Sequence, residues 1–250
     1  MVLSLSRLKA SFYKLRLDEL AICSLFQQLR RKKMDLIVGG GKYGCHAIEY
    51  LRQQKKQFLV VDTDPNCLAV KRFKLKTFEH LISEGFVNGG LPKVLELIVE
   101  LKPEYVFPTA PVHIAADLAK IKFELVPWSE AIAAILPKLP EAVVLHAGSE
   151  RLVVSFNKGH NCVDKCSMPE VCPSSGIRKP CTMTRLMRFA CPEAFILVSY
   201  SMAPGMGALK GSELLDLFDW AKNKEKFVVG TACDCHGVFS AFQKRVKAEA

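Results

Sequence analysis

The chain has 250 residues; half are apolar, 24% are charged, and the formal net charge is +10. That length and balance allow a sizeable buried core and exclude collagenous, disordered and knottin-like classes. The longest charge-free stretch, Ala194 to Leu209, has 16 residues and is interrupted by Pro204, Gly205 and Gly207, short of the roughly 18 residues a membrane helix needs.

The charge is lopsided. Residues 1–33 hold Arg7, Lys9, Lys14, Arg16, Arg30, Arg31, Lys32 and Lys33 against Asp18 and Glu19, so most of the excess is N-terminal. The body is only mildly basic, and no nucleic-acid partner is expected. Met34 stands directly before a strand-like run, as an initiator methionine does. Residues 1–33 therefore read as an upstream-extended start or a loosely attached helix, without functional weight.

From there the chain reads Asp35-Leu36-Ile37-Val38, then Gly39-Gly40-Gly41-Lys42-Tyr43-Gly44, then a run placing Tyr43, Ala47, Ile48 and Leu51 on one helical face. A second strand, Phe58-Leu59-Val60-Val61, ends at Asp62, and Pro65 opens the next helix. Strand, glycine turn, helix and acidic strand end together form the dinucleotide-binding signature. Gly39 permits the tight turn, Gly41 lets a pyrophosphate approach the backbone, and Gly44 lets helix and strand pack closely. Asp62, 18 residues after Gly44, is placed for ribose hydroxyls and favours NAD(H), because a 2′-phosphate would meet its carboxylate. Lys71, Arg72, Lys74 and Lys76 could select such a phosphate but read more simply as a solvated helix end.

Further β-then-α alternation follows: helix from Pro92 to Leu101, strand Tyr105 to Phe107, helix after Pro111, short strand near Phe123 to Val126, helix from Ser129 to Leu136, strand Ala142 to Leu145, and then a strand from Arg151 to Phe156. This rhythm predicts an α/β fold with a parallel, doubly wound Rossmann-type sheet. Thr109 and His113 follow the Tyr105 strand, where ligands of such sheets bind. The candidate cofactor residues are thus Gly39, Gly41, Lys42, Tyr43, Gly44, Asp62 and Thr109, with His113 a candidate acid or base and His46 a weaker one. The bland alternative is a glycine turn kept for packing alone.

The glycine turn with Val61-Asp62-Thr63-Asp64-Pro65 resembles the TrkA-N (RCK/KTN) family of NAD(P)-binding domains, over residues 34–146. The resemblance implies NAD binding and, as one functional reading, a nucleotide-sensing regulator of the potassium-transport type.

Residues 34–156 are read as the dinucleotide-binding domain and 157–250 as a smaller Cys-rich α/β domain. Of ten cysteines, Cys162, Cys166, Cys172, Cys181, Cys191, Cys233 and Cys235 fall within 74 residues. With no secretory segment, a cytoplasmic chain with reduced thiols is expected, and clustering then indicates metal or redox chemistry. The spacing C-x3-C-x5-C-x8-C from Cys162 to Cys181 matches neither a zinc ribbon nor a ferredoxin run. An iron–sulfur cluster, zinc and free buried thiols all stay open, with iron–sulfur preferred beside a redox cofactor. Cys162, Cys166, Cys172, Cys181, Cys233 and Cys235 are the candidate metal ligands; Cys233 and Cys235 are also catalytic candidates, with His236 a further ligand.

Beyond the cluster, strands are predicted at Phe195 to Ser199 and Phe227 to Gly230 and a helix from Ser212 to Trp220. The Gly205 to Gly211 stretch could cradle phosphate but is more simply a turn. The preferred function is an NAD(P)(H)-binding redox protein, a candidate oxidoreductase, with a cysteine-ligated metal centre. A redox partner protein and a homodimer are left open.

Overall fold

The computed structural model describes residues 34–77 and 84–245; the expectations placed on residues 1–33 lie outside them. The first strand, β1 (Met34–Val38), is buried at every position, as its near-continuous apolar sequence requires. It leads through the glycine turn into α1 (Lys42–Gln53), whose buried stripe is Gly44, Cys45, Ala47, Ile48 and Leu51. The chain continues with β2 (Gln57–Asp62), α2 (Leu68–Phe73), β3 (Glu84–Asn88), α3 (Leu91–Leu101) and β4 (Tyr105–Pro108). These strands lie in the order β3-β2-β1-β4 and are all parallel.

The chain then leaves this sheet. It runs through α4 (Ile114–Phe123), β5 (Val126–Pro127) and α5 (Ser129–Ile135) to β6 (Val144–Ala147) and β7 (Arg151–Ser155). After a long cysteine-bearing segment come α6 (Met183–Ala190) and β8 (Phe195–Val198). The hairpin of β9 (Tyr200–Ala203) and β10 (Met206–Lys210) returns to the first sheet, before α7 (Gly211–Ala221), β11 (Lys226–Ala232) and β12 (His236–Gln243). The second sheet has the order β6-β7-β12-β11-β8, with β5 also on β12.

The expected doubly wound parallel sheet is therefore corrected to a mixed α/β architecture with two six-stranded sheets. Beyond β4 the first sheet is extended by β10, which pairs antiparallel through Leu209 and Val106, and by β9. A two-residue hairpin connection permits only antiparallel neighbours, so β9 and β10 cannot continue the parallel winding. The strands expected near residues 142–156 join the second sheet, where the β6, β7, β12 and β11 pairings are all antiparallel and only β8 to β11 is parallel.

Alternation along the strands builds the layers. Leu36, Val38 and Val106 point into a core that α3, α4 and α7 share with Leu197, Val229 and Phe242 of the second sheet. Ile37, Val60 and Phe107 point the other way, onto α1 and α2. Val228 and Phe239 face α5 and α6 on the outer side of the second sheet. Three helices thus lie between two sheets, and one face of each sheet is covered from outside. The carboxyl ends of β1, β4 and β11 deliver the glycine turn, the Thr109 loop and the Cys233 to His236 turn.

Candidate functional site

The glycine turn is built as its spacing demands. Gly39 has φ +109°, a conformation side chains disfavour, and a Cβ there would lie 2.9 Å from the Ala110 nitrogen. A Cβ on Gly44 would fall 2.1 Å from the Gly39 carbonyl oxygen, so helix and strand meet backbone to backbone. Gly41 caps α1 and has nothing within 4 Å of its virtual Cβ. The space over the first α1 amides is open, where an anion meets unpaired N–H groups and the positive end of the helix dipole.

Asp62 is tied into this turn. Its Oδ2 accepts from the Gly40 amide at 2.5 Å and its Oδ1 from the Asp64 amide at 2.9 Å. A carboxylate has about four acceptor sites, so capacity remains for ribose hydroxyls. Thr109 braces the turn instead of standing free: its hydroxyl lies 2.9 and 2.7 Å from the Val38 and Gly39 carbonyls, which share its one proton. Arg72 pairs with Glu49, and Tyr43 is 59% exposed on the first turn of α1, edge-on to His46.

Tyr43 also lines a cavity of about 270 Å³ whose walls carry Cys162, Cys166, Cys172, Cys233, Cys235 and His236. The β9–β10 hairpin contributes Gly205 to Gly207, and the Gly205 amide donates to the Cys166 carbonyl at 2.8 Å. The cavity therefore sits where the glycine turn, the first sheet's antiparallel edge and the end of β11 converge. All nine described cysteines are free thiols.

Each sulfur in the cavity has a polar neighbour. The amides of Cys235 and His236 both donate to Cys233 Sγ at 3.4 Å, and the Met168 amide donates to Cys166 Sγ at 3.4 Å. Asn157 Nδ2 donates to Cys162 Sγ at 3.1 Å, and His236 Nε2 faces the same sulfur at 3.3 Å. Lys179 Nζ donates to Cys235 Sγ at 3.3 Å. Donation from the Ser175 hydroxyl, with the Ser175 and Ser174 amides and the Lys179 charge, holds the Cys172 thiol below its ordinary pKa. N–H and O–H groups aimed at sulfur favour thiolate over thiol, the form that binds metal. Burial pushes Cys235 up against this, and burial with the Lys179 charge lowers His236, which keeps its imidazole neutral and able to ligate.

Other sequence candidates lie elsewhere. Cys181 is half-buried before α6 and does not line the cavity. Cys191 is fully buried in the second sheet's outer core, and burial with the nearby Glu193 pushes its thiol up to about 12. His113 is buried with Nδ1 2.9 Å from Ser240 Oγ and Nε2 2.9 Å from Thr231 Oγ1. Burial lowers its pKa to about 3, so it bridges α4 to β11 and β12 as a neutral ring. Among the described residues, no three His, Cys, Asp or Glu side chains converge closely enough to hold a single ion.

Sequence reading missed Asn157, Ser175 and Lys179. Asn157 joins two cysteines, donating to Cys162 and accepting from the Cys172 thiol at 3.8 Å. A buried amide directly after an apolar strand was the available signal for it; Ser175 and Lys179 carry none, since serines and lysines are common in loops.

Two family models match the chain, one described as "Uncharacterized protein, N-terminal domain" over residues 34–114 and one as "Uncharacterized protein, C-terminal domain" over residues 115–245. A protein of Archaeoglobus fulgidus, described as "Uncharacterized protein", is 44% identical over 215 residues, which is 84% of this chain and 100% of that one. No solved structure matches. The chain belongs to the family these two models define. This corrects the TrkA-N resemblance: the matching models are of another family, and the first sheet turns antiparallel after β4. A glycine turn with an acidic strand end meets the shared demands of a βαβ corner, and that geometry alone carries no role in potassium transport. The junction of the models at 114/115 falls at the first residue of α4, yet β9 and β10 from the C-terminal part complete the N-terminal sheet.

Proposed function

We propose that this family member is a redox protein that binds NAD(H) along the carboxyl ends of β2, β1 and β4 and holds a cysteine-ligated iron–sulfur centre in the adjoining cavity. The observation that carries the reading is Tyr43, which belongs both to the glycine-turn helix and to the wall of the thiol cavity. A dinucleotide with its ribose at Asp62 and its diphosphate over Gly41 extends toward β4, and the antiparallel edge beyond β4 borders that cavity.

Cys166, Cys172, Cys233 and Cys235 are the ligands we assign, since each faces the cavity and each receives a hydrogen bond from an amide, hydroxyl or ammonium group. Cys162 and His236 stand beside them as a contacting pair. A single tetrahedral ion needs its donors about 2.3 Å from one point, whereas a cluster takes thiolates onto several irons. Sulfurs spread over the walls of a cavity of about 270 Å³ suit the second arrangement. When bound, NAD(H) supplies electron pairs as hydride and the cluster holds single electrons.

Anaerobic isolation with iron and sulfide analysis, followed by calorimetric titration with NADH, tests the reading. Bound iron and sulfide together with a saturable NADH site are expected. Protein that carries neither metal nor nucleotide affinity contradicts it.

A further inference from the structure

Lys179 is the unusual cation of this site. It is half-buried, and among the described residues no carboxylate pairs with it. Its Nζ instead donates to the Met168 carbonyl at 2.9 Å and to Cys235 Sγ at 3.3 Å. Its position is fixed by the backbone: the Lys179 amide donates to the Glu170 carbonyl, next to the antiparallel bridge between Val171 and Arg178 that carries the Cys172 turn. One ammonium thus ties the Met168 stretch of the loop and the β11–β12 turn to the segment that carries the Cys172 turn.

Taking a cation out of water without a counter-charge is costly, so such a group implies an anion nearby. The thiol its Nζ reaches is that of Cys235.

We propose that Lys179 is a positioning residue that acts as the fixed counter-charge of the iron–sulfur centre and raises its reduction potential. The inference rests on the cluster reading above. Adding an electron makes the centre more negative, and a permanent positive charge beside a ligand sulfur stabilises the reduced state more than the oxidised one.

Redox titration of the anaerobic full-length protein, monitored by electron paramagnetic resonance with iron analysis on the same samples, tests it. In Lys179→Met and Lys179→Gln the reduction equilibrium is expected to move about tenfold toward the oxidised state, about 59 mV for one electron. Lys179→Arg is expected to restore the wild-type value. Loss of iron from both neutral variants with retention in Lys179→Arg also supports a counter-charge. A wild-type potential in either neutral variant, or an arginine variant shifted as far as Lys179→Met, overturns the inference while leaving the cluster itself established. Wild-type protein without iron overturns the cluster reading and this inference with it.

Discussion

Asp35 and His113, both buried, pull stability in opposite directions with pH. Burial raises the Asp35 carboxyl from 3.8 to about 6, only partly offset by the Tyr105 amide that donates to its Oδ1 at 2.9 Å. The folded state therefore prefers the protonated acid, and the stability this gives is present below pH 3.8 and lost as pH rises through 6. His113, lowered from 6.5 to about 3, behaves conversely: its contribution is complete above pH 6.5 and is lost as pH falls toward 3. Asp35→Asn keeps the acceptor for Tyr105 and removes the charge, so urea unfolding at pH 7.5 should show a gain of about 2–3 kcal/mol that vanishes near pH 4. An equal gain at both pH values contradicts the burial argument. Gly41 gives a cleaner functional test. Open space surrounds it, so Gly41→Val should fold with unchanged iron content and only about 1 kcal/mol of lost stability from the poorer helix cap, yet lose at least about tenfold in NADH affinity. Unchanged affinity sinks the glycine-turn assignment. At this scale the local geometry was legible where residue type and backbone demand coincide, as in the tight turn at Gly39 and the Asp62 carboxylate that ties it. It was not legible at Thr109 and His113, whose polar groups are spent on the Val38, Gly39, Ser240 and Thr231 partners. Polar side chains near strand ends serve either purpose, and only their partners in space distinguish the two.

Among the elements, the cysteine-bearing segment between β7 and α6 is the one that the proposed centre would hold in place. Its surface is largely exposed, and the backbone order within it comes from one bridge, Val171 to Arg178, and a few turns. Long loops without their own secondary structure need something to hold them. Iron chelation or Cys172→Ser should accordingly expose residues 157–182 to limited proteolysis while the sheets stay protected, with cleavage sites read by mass spectrometry. Equal resistance with and without metal contradicts this. The sequence pattern located β1, β2, β4, β7, β8 and β11 and their helices within a few residues, because their apolar runs are strong. It missed β12, in which Gly237 and Ser240 interrupt the apolar run, and it read the second strand of the β9–β10 hairpin as a glycine-rich loop. Tyr200-Ser201-Met202-Ala203 has neither a clear alternation nor a β-branched residue, so only pairing with the first sheet reveals it as a strand.

For the whole molecule, the consequence of that hairpin is larger than its eleven residues suggest. It welds the cysteine-rich part to the edge of the glycine-turn sheet and brings Gly205 to Gly207 against Cys166, so the two regions that sequence reading kept apart share a wall. Three helices between the sheets bury a common core and fix that relation. Long-range antiparallel pairing leaves no local signature, which is why the sequence gives no sign that β9 and β10 pair onto the sheet of the glycine turn. The central claim is that nucleotide and sulfur centre occupy one site, and fluorescence of bound NADH tests it directly. In anaerobic wild-type protein the emission should be strongly quenched by the adjacent centre, and in Cys172→Ser, which binds NADH but lacks the metal, it should be restored. Equal emission from both proteins at saturation would show that the two sites lie apart and contradict the account.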